Sequence, residues 1–169
     1  MDTETITKKT ILLVEDDPHD AELALAALED QLANKVTVVD SGAEALDYLY
    51  HRGEFKDRAG GNPIVVLLDN KMPKVSGLEV LKVIKGDRHL KSIPVVALTS
   101  SRRIEDLREF YEHGINAYVV KPLDFSEFRA AIKQLVAFWA TVNEPPPTNG
   151  REMTSIRSGA VVVSGKEEA

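Results

Sequence analysis

Cysteine is absent from all 169 residues. That excludes a disulfide framework, a thiolate nucleophile and any cysteine-based zinc or iron–sulfur site, and it fits a reducing compartment such as the cytoplasm. Positive charge is in deficit, with 21 Lys and Arg against 27 Asp and Glu for a net charge of −6, so no basic field for nucleic acid is present. No apolar run approaches the roughly 20 residues of a membrane-spanning helix. The start, Met1-Asp-Thr-Glu-Thr5, lacks the basic and apolar regions of a secretory signal. These absences lead to the expectation of a soluble, cytoplasmic protein with neither nucleic-acid nor membrane partners. The length suits one ordinary domain with a tail, large enough to bury a core without staples.

What is present is an alternation of two kinds of segment. Short continuous apolar runs near residues 10–14, 35–39, 64–68, 94–98 and 116–120 read as strands buried on both faces. Helical patterns fall between and after them, near 18–32, 42–52, 77–86, 103–113 and 124–142. Strict alternation predicts an α/β fold, a doubly wound (βα)5 arrangement with one five-stranded parallel sheet covered on both faces. Asp17-Pro18 and Ser41-Gly42 open helices, Gly114 closes one, and Asp124 or Ser126 caps the last. The expected division is an N-terminal extension over 1–8, one domain over 9–142 and a tail over 143–169. Residues 53–62, polar and with three glycines, are expected to form a surface insertion.

Charged or hydroxyl residues end four of the strands. Glu15 and Asp16 follow the first, Asp69 the third, Thr99 the fourth and Lys121 the fifth. Ligands of open parallel sheets bind outside the carboxyl ends of the strands, so these groups are expected at one rim. Adjacent carboxylates suit a hard divalent cation, although acids at a helix start also favour the helix dipole. Asp17 is expected to act as a helix cap. A carboxylate beside such a cation can attack a phosphoryl donor, with a hydroxyl and an amine placed to receive the phosphoryl oxygens. Each residue taken alone has an ordinary explanation as a turn, cap or surface group; the set at one edge does not. Lys121-Pro122 restrains the backbone there, and a cis peptide is one way to turn the lysine inward.

Ile11-Leu-Leu-Val-Glu-Asp16, Leu67-Leu-Asp69 with Met72-Pro73 and Gly77, Leu98-Thr99 and Tyr118-Val-Val-Lys121-Pro122 together resemble the receiver domain of two-component response regulators, over about residues 9–140. The resemblance implies a flavodoxin-like fold and a signalling protein, not a classical enzyme. It implies that Asp69 accepts a phosphoryl group from a histidine kinase, and that Mg²⁺ is bound by Glu15, Asp16, Asp69 and the backbone carbonyl of Lys71. Thr99 and Lys121 would contact the phosphoryl group, and Tyr118 would report the activated state by changing rotamer with Thr99. The insertion and the long last helix ending Ala137-Phe-Trp-Ala140 look like single-domain regulators that partner phytochrome-type kinases. Lys71 and Ser100 depart from the common pattern, and the Lys71 amine could shield the phosphoryl group from water. Competing readings are a phosphorylation-independent interaction module, an aspartate-nucleophile phosphatase and a flavin-binding electron carrier. The phosphatase family resembles Asp-x-Asp at the nucleophile, where this chain has Lys71 in the second place.

The last helix, taken over 124–142, overhangs the short strands it covers. Phe125 and Phe128 at its start are expected in the core. Leu135, Phe138, Trp139 and Val142 offer more apolar surface than one sheet edge can cover, which predicts a two-fold homodimer. Val161 to Val163 have strand propensity, so the tail is read either as an arm reaching the partner or as disorder.

Overall fold

The computed structural model describes residues 9–29 and 35–147. The extension over 1–8 and the tail from 148 onward, with the expected arm at Val161 to Val163, lie outside the described residues.

Five parallel strands form one sheet in the order β2-β1-β3-β4-β5: β1 (Thr10–Val14), β2 (Lys35–Val39), β3 (Val65–Leu68), β4 (Val95–Thr99) and β5 (Ala117–Val120). They coincide with the expected runs to within a residue. Alternating side chains of each strand feed two separate cores. Leu12, Val14, Val66 and Leu68 pack with Leu81, Ile84 and Phe110 on one face, against α2 (Gly42–Leu49), α3 (Gly77–Gly86) and α4 (Ile104–Glu112). Ile11, Leu13, Val65 and Leu67 pack with Ala27, Phe128 and Ile132 on the other, against α1 (Pro18–Leu28) and α5 (Phe125–Ala137). Burial on both faces is why the central strands read as unbroken apolar runs. The strand order reverses direction between β1 and β3, which opens a crevice beyond their carboxyl ends.

Several expected boundaries shift. The helix α1 spans Pro18–Leu28, the end of its expected range beyond residue 29 lying outside the described residues, and α2 stops at Leu49, where His51 and Gly53 take positive φ (52° and 55°) and turn the chain. The insertion does more than lie on the surface. Phe55, in a 3-10 turn, stacks edge-on against Tyr48 at 5.2 Å, and the Arg58 guanidinium lies 4.1 Å from the Tyr48 ring centre while its Nε donates to the Tyr48 carbonyl at 2.7 Å.

The last helix is α-helical only to Ala137 and then widens into a π-turn over Phe138–Val142. The Thr141 hydroxyl donates back to the Ala137 carbonyl, a bond that loosens the helix, and the Asn143 N–H reaches the Phe138 carbonyl at 2.7 Å. Phe125 is 49% exposed, against the expectation of a core residue, because it lines an open cleft beside Lys121 and Pro122. After the π-turn, Pro145, Pro146 and Pro147 line a small cavity with Asn62, Ile64 and Ile93, so the start of the tail is laid along the amino-terminal edge of the sheet.

The loop from β3 to α3 is folded back tightly. The Gly77 N–H donates to the Asn70 carbonyl at 2.9 Å, and a Cβ at Gly77 would lie 2.1 Å from the Asp69 carbonyl oxygen. At Gly86, in the same helix, an added Cβ meets nothing within 4 Å. Gly77→Ala is therefore expected to lose about 3 kcal/mol, at the upper end of overpacking costs. Gly86→Ala is expected to be neutral or to gain roughly 0.5–1 kcal/mol through helix propensity. Urea unfolding of both variants checks the pair, and equal stabilities would refute the close approach.

Candidate functional site

The rim of the crevice is built from chain segments that leave the sheet in different directions. The Glu15 N–H bonds the Val39 carbonyl at 3.0 Å and the Asp69 N–H bonds the Val14 carbonyl at 3.0 Å, so each acid continues the ladder of its strand by one residue. This holds both carboxylates inward: Glu15 is 3% and Asp69 6% exposed. Asp16 is half-buried beside them. One carboxylate oxygen from each of Glu15, Asp16 and Asp69 lies within 4.8 Å of the others. Asp17 turns away and caps α1, accepting from the N–H groups of His19 (2.8 Å) and Asp20 (3.1 Å), bonds that hold its carboxyl below the usual range.

Lys121 enters from β5. Its N–H donates to the Thr99 carbonyl at 2.8 Å, extending the β4–β5 ladder, and the peptide to Pro122 is trans, so the lysine is turned inward without a cis bond. Its Nζ lies 2.5 Å from Glu15 Oε2, 2.9 Å from Asp20 Oδ2 and 3.8 Å from Asp69 Oδ1. Thr99 is fully buried, and its hydroxyl oxygen accepts the Ser101 N–H at 3.2 Å. Tyr118, half-buried, donates its hydroxyl to the Ser101 carbonyl at 3.1 Å and sets its ring edge-on to Phe110 at 5.6 Å. Lys71 and Ser100 are exposed in the loops after β3 and β4.

Three carboxylates, those of Glu15, Asp20 and Asp69, lie within 4 Å of one ammonium, Asp16 adds a fourth to the rim, and burial together with this surplus of negative charge sets the titration directions. Burial drives the Glu15 carboxyl up to about 7, with the Lys121 hydrogen bond opposing and the Asp69 charge adding. Burial also raises Asp69, against the pull of Lys121 and the Asn70 N–H, while Asp16 and Asp20 add repulsion. For Lys121, burial works against the charged form, but hydrogen bonds to Glu15 and Asp20 and the Asp69 charge carry its pKa above the ordinary value. A hard oxygen-lined cluster with surplus negative charge fits a small divalent cation, held by one or two carboxylates with other oxygens completing its shell.

The expected rim residues Glu15, Asp16, Asp69, Thr99 and Lys121 thus converge, with Tyr118 one loop away. The interface candidates separate. Phe138 (47%) and Val142 (68%) are exposed, whereas Leu135 and Trp139 are half-buried against the core of their own chain. Two groups escaped the sequence reading. Asp20 joins Lys121, and the available signal was an acid in the first turn of the helix that follows the rim residues Glu15 and Asp16. Ser101 is buried and bonds the Asp106 carboxylate, a contact that a serine in a polar loop does not advertise.

Comparison with known proteins places this geometry. The crystal structure of the phosphorylated cyanobacterial phytochrome response regulator RcpA is similar with a TM-score of 0.78 at 34% identity, covering 83% of this chain and 100% of the other. The bacteriophytochrome response regulator AtBRR is 58% identical with a TM-score of 0.66, covering 81% of this chain and 99% of its own. Rcp1 of Synechocystis sp. PCC 6803 is 33% identical over 140 residues, 82% of this chain and 94% of Rcp1; its Mn²⁺-bound form is similar with a TM-score of 0.77 at 32% identity, covering 82% and 99%. The profile of the response regulator receiver domain matches residues 11–133. With its five-stranded parallel sheet and acidic rim, the chain belongs to the response regulator receiver domain family.

Proposed function

We propose that this protein is a cytoplasmic, single-domain response regulator whose receiver unit spans residues 9–142 and whose Asp69 accepts a phosphoryl group from a histidine kinase, in signalling of the phytochrome type. The observation that carries the reading is the convergence of three carboxylates within 4.8 Å with the Lys121 ammonium 3.8 Å from Asp69. The name of RcpA, a phosphorylated phytochrome response regulator, supports the phosphoryl chemistry and the kinase class, and AtBRR supports the phytochrome link.

Mg²⁺ held by Glu15, Asp16, Asp69 and the Lys71 carbonyl supplies positive charge that offsets repulsion between the carboxylates and an incoming phosphoryl group. The Mn²⁺-bound form of Rcp1 supports a divalent cation at this rim. An Asp69 oxygen forms the new bond to phosphorus as the donor's bond breaks, and the leaving group keeps the electron pair. Lys121 and Thr99 receive phosphoryl oxygens, and Tyr118 reports the rearrangement to the face of α4 and β5. A cavity of about 340 Å³ beside the rim, lined among others by His19, Asp20, Lys121, Pro122 and the exposed Leu123, offers the kinase a docking place. Phe138 and Val142, with the edges of Leu135 and Trp139, form the apolar patch of a homodimer.

Wild type incubated with Mg²⁺ and acetyl phosphate is expected to gain one phosphoryl group by intact-mass analysis, and Asp69→Asn none. Asp16→Asn is expected to raise the Mg²⁺ needed about tenfold or more, as the loss of one charged ligand implies, and Asp17→Asn to leave it nearly unchanged. Full phosphorylation of Asp69→Asn would sink the assignment.

Because folding raises the Asp69 pKa, the native protein binds its proton more tightly than the unfolded chain does, and the ionised carboxylate lowers stability as pH rises. In chelator at pH 7.5, Asp69→Asn should melt about 2–5 °C above wild type, the shift expected from roughly 1 kcal/mol in a domain of this size. The gap should close as pH falls toward 3.8, the carboxyl's ordinary value. A gap that widens on acidification contradicts the sign.

For assembly, light scattering should give a dimer for wild type. Phe138→Glu with Val142→Glu, which alter only exposed positions, should give a folded monomer. A monomeric wild type removes the interface.

A further inference from the structure

Asp20 occupies the third position of α1, where an acid ordinarily turns back to the N–H of the capping residue. Here that N–H, of Asp17, is taken by Glu15 Oε1 at 3.1 Å. The Asp20 carboxylate is left free to reach across to β5 and accept from Lys121 Nζ at 2.9 Å, nearer than Asp69 at 3.8 Å. It stands apart from the trio of Glu15, Asp16 and Asp69 that gathers about one point. It is also partly open to water, its side chain 34% exposed, while the lysine is only 10% exposed.

Resting on the phosphoacceptor reading, we propose that Asp20 is a positioning residue for phosphoryl transfer: it is the resting counter-ion of Lys121 and competes with the phosphoryl group on Asp69 for that ammonium. The competition follows from valence. One ammonium has three N–H donors, and in the resting protein they face Glu15, Asp20 and, at longer range, Asp69. Glu15 and Asp69 also belong to the carboxylate trio that would hold a divalent cation, whereas Asp20 does not, so Asp20 is the partner of Lys121 that such a cation would leave unengaged. When the Asp69 oxygen–phosphorus bond has formed, a phosphoryl oxygen presents a stronger acceptor, and Lys121 must give up Asp20 to reach it. On hydrolysis, water oxygen bonds to phosphorus and gives up a proton to the departing phosphate or to solvent, the Asp69 oxygen–phosphorus bond breaks with its electron pair returning to the carboxylate, and the lysine returns to Asp20. Asp20 therefore favours the unphosphorylated state, and its removal prolongs the phosphorylated one.

The test uses the whole chain, with acetyl phosphate and Mg²⁺ as the phosphorylating probe. The phosphorylated form of Asp20→Asn is expected to last at least threefold longer than wild type, and Asp20→Glu to return toward wild type. A lifetime that is unchanged or shorter in Asp20→Asn overturns the proposal while leaving the phosphoacceptor reading intact. A wild type that takes up no phosphoryl group overturns both. A second measurement needs neither phosphate nor metal: melting temperatures in chelator of wild type, Asp20→Asn, Lys121→Met and the double variant. The Asp20→Asn shift should vanish or reverse once Lys121 is Met; the same shift in both backgrounds marks Asp20 as merely a helix-start acid and overturns the proposal.

Discussion

The structure depends at its functional edge on one lysine ammonium shared among more carboxylates than it can neutralise. Lys121 lies within 4 Å of Glu15, Asp20 and Asp69, and the first and last of these are almost wholly buried. Buried carboxylates in surplus are unfavourable unless a proton, a cation or further donors compensate them. The fold tolerates this because the ladder bonds from Glu15 to Val39 and from Asp69 to Val14 fix both backbones at the sheet edge, and because the two apolar cores behind them supply the stability. On the proposed function, this imbalance is what a divalent cation and a phosphoryl group would act on.

The same geometry couples the rim to the far side of β5. Lys121 and Tyr118 lie on one strand, three residues apart, and Thr99 and Ser101 lie in the segment paired with it. Ser101 ties three things together: its N–H donates to the Thr99 hydroxyl, its carbonyl receives the Tyr118 hydroxyl, and its own hydroxyl bonds Asp106 in the first turn of α4. Contiguous hydrogen bonds therefore link Thr99 to Tyr118 and to the first turn of α4 within one small domain, the connection that the proposed switch would use.

Much of this was legible in the sequence because both-face burial writes itself as continuous apolar runs, and the residue that ends each run marks the sheet edge. Glu15, Asp69, Thr99 and Lys121 were found that way, and the third strand, which Asp69 follows, lies at the centre of the sheet. Asp20 was not, because an acid in the first turn of a helix already has a local explanation and its partner is 101 residues away. The widening at Phe138–Val142 was hidden for a different reason: the apolar spacing of an α-helix continues through it, and only the Thr141 back-bond and the Asn143 N–H reveal the change of hydrogen-bond pattern. Phe125 fitted the apolar stripe but sits where that stripe runs past the sheet into the cleft. Pattern reading finds what the chain does along itself; it misses bonds made across the fold by residues that a local role already accounts for.

The central claim is that surplus negative charge at the rim is the feature a divalent cation satisfies. The most direct measurement is the melting temperature of the wild-type chain as Mg²⁺ is added at neutral pH and fixed ionic strength, alongside a variant in which Glu15, Asp16 and Asp69 are replaced by Gln, Asn and Asn. The account predicts a saturable rise in wild type, about 2.7 kcal/mol of added stability at a hundred times the dissociation constant, and no rise in the variant. A wild-type melting temperature indifferent to Mg²⁺, or an equal rise in both chains, would contradict it.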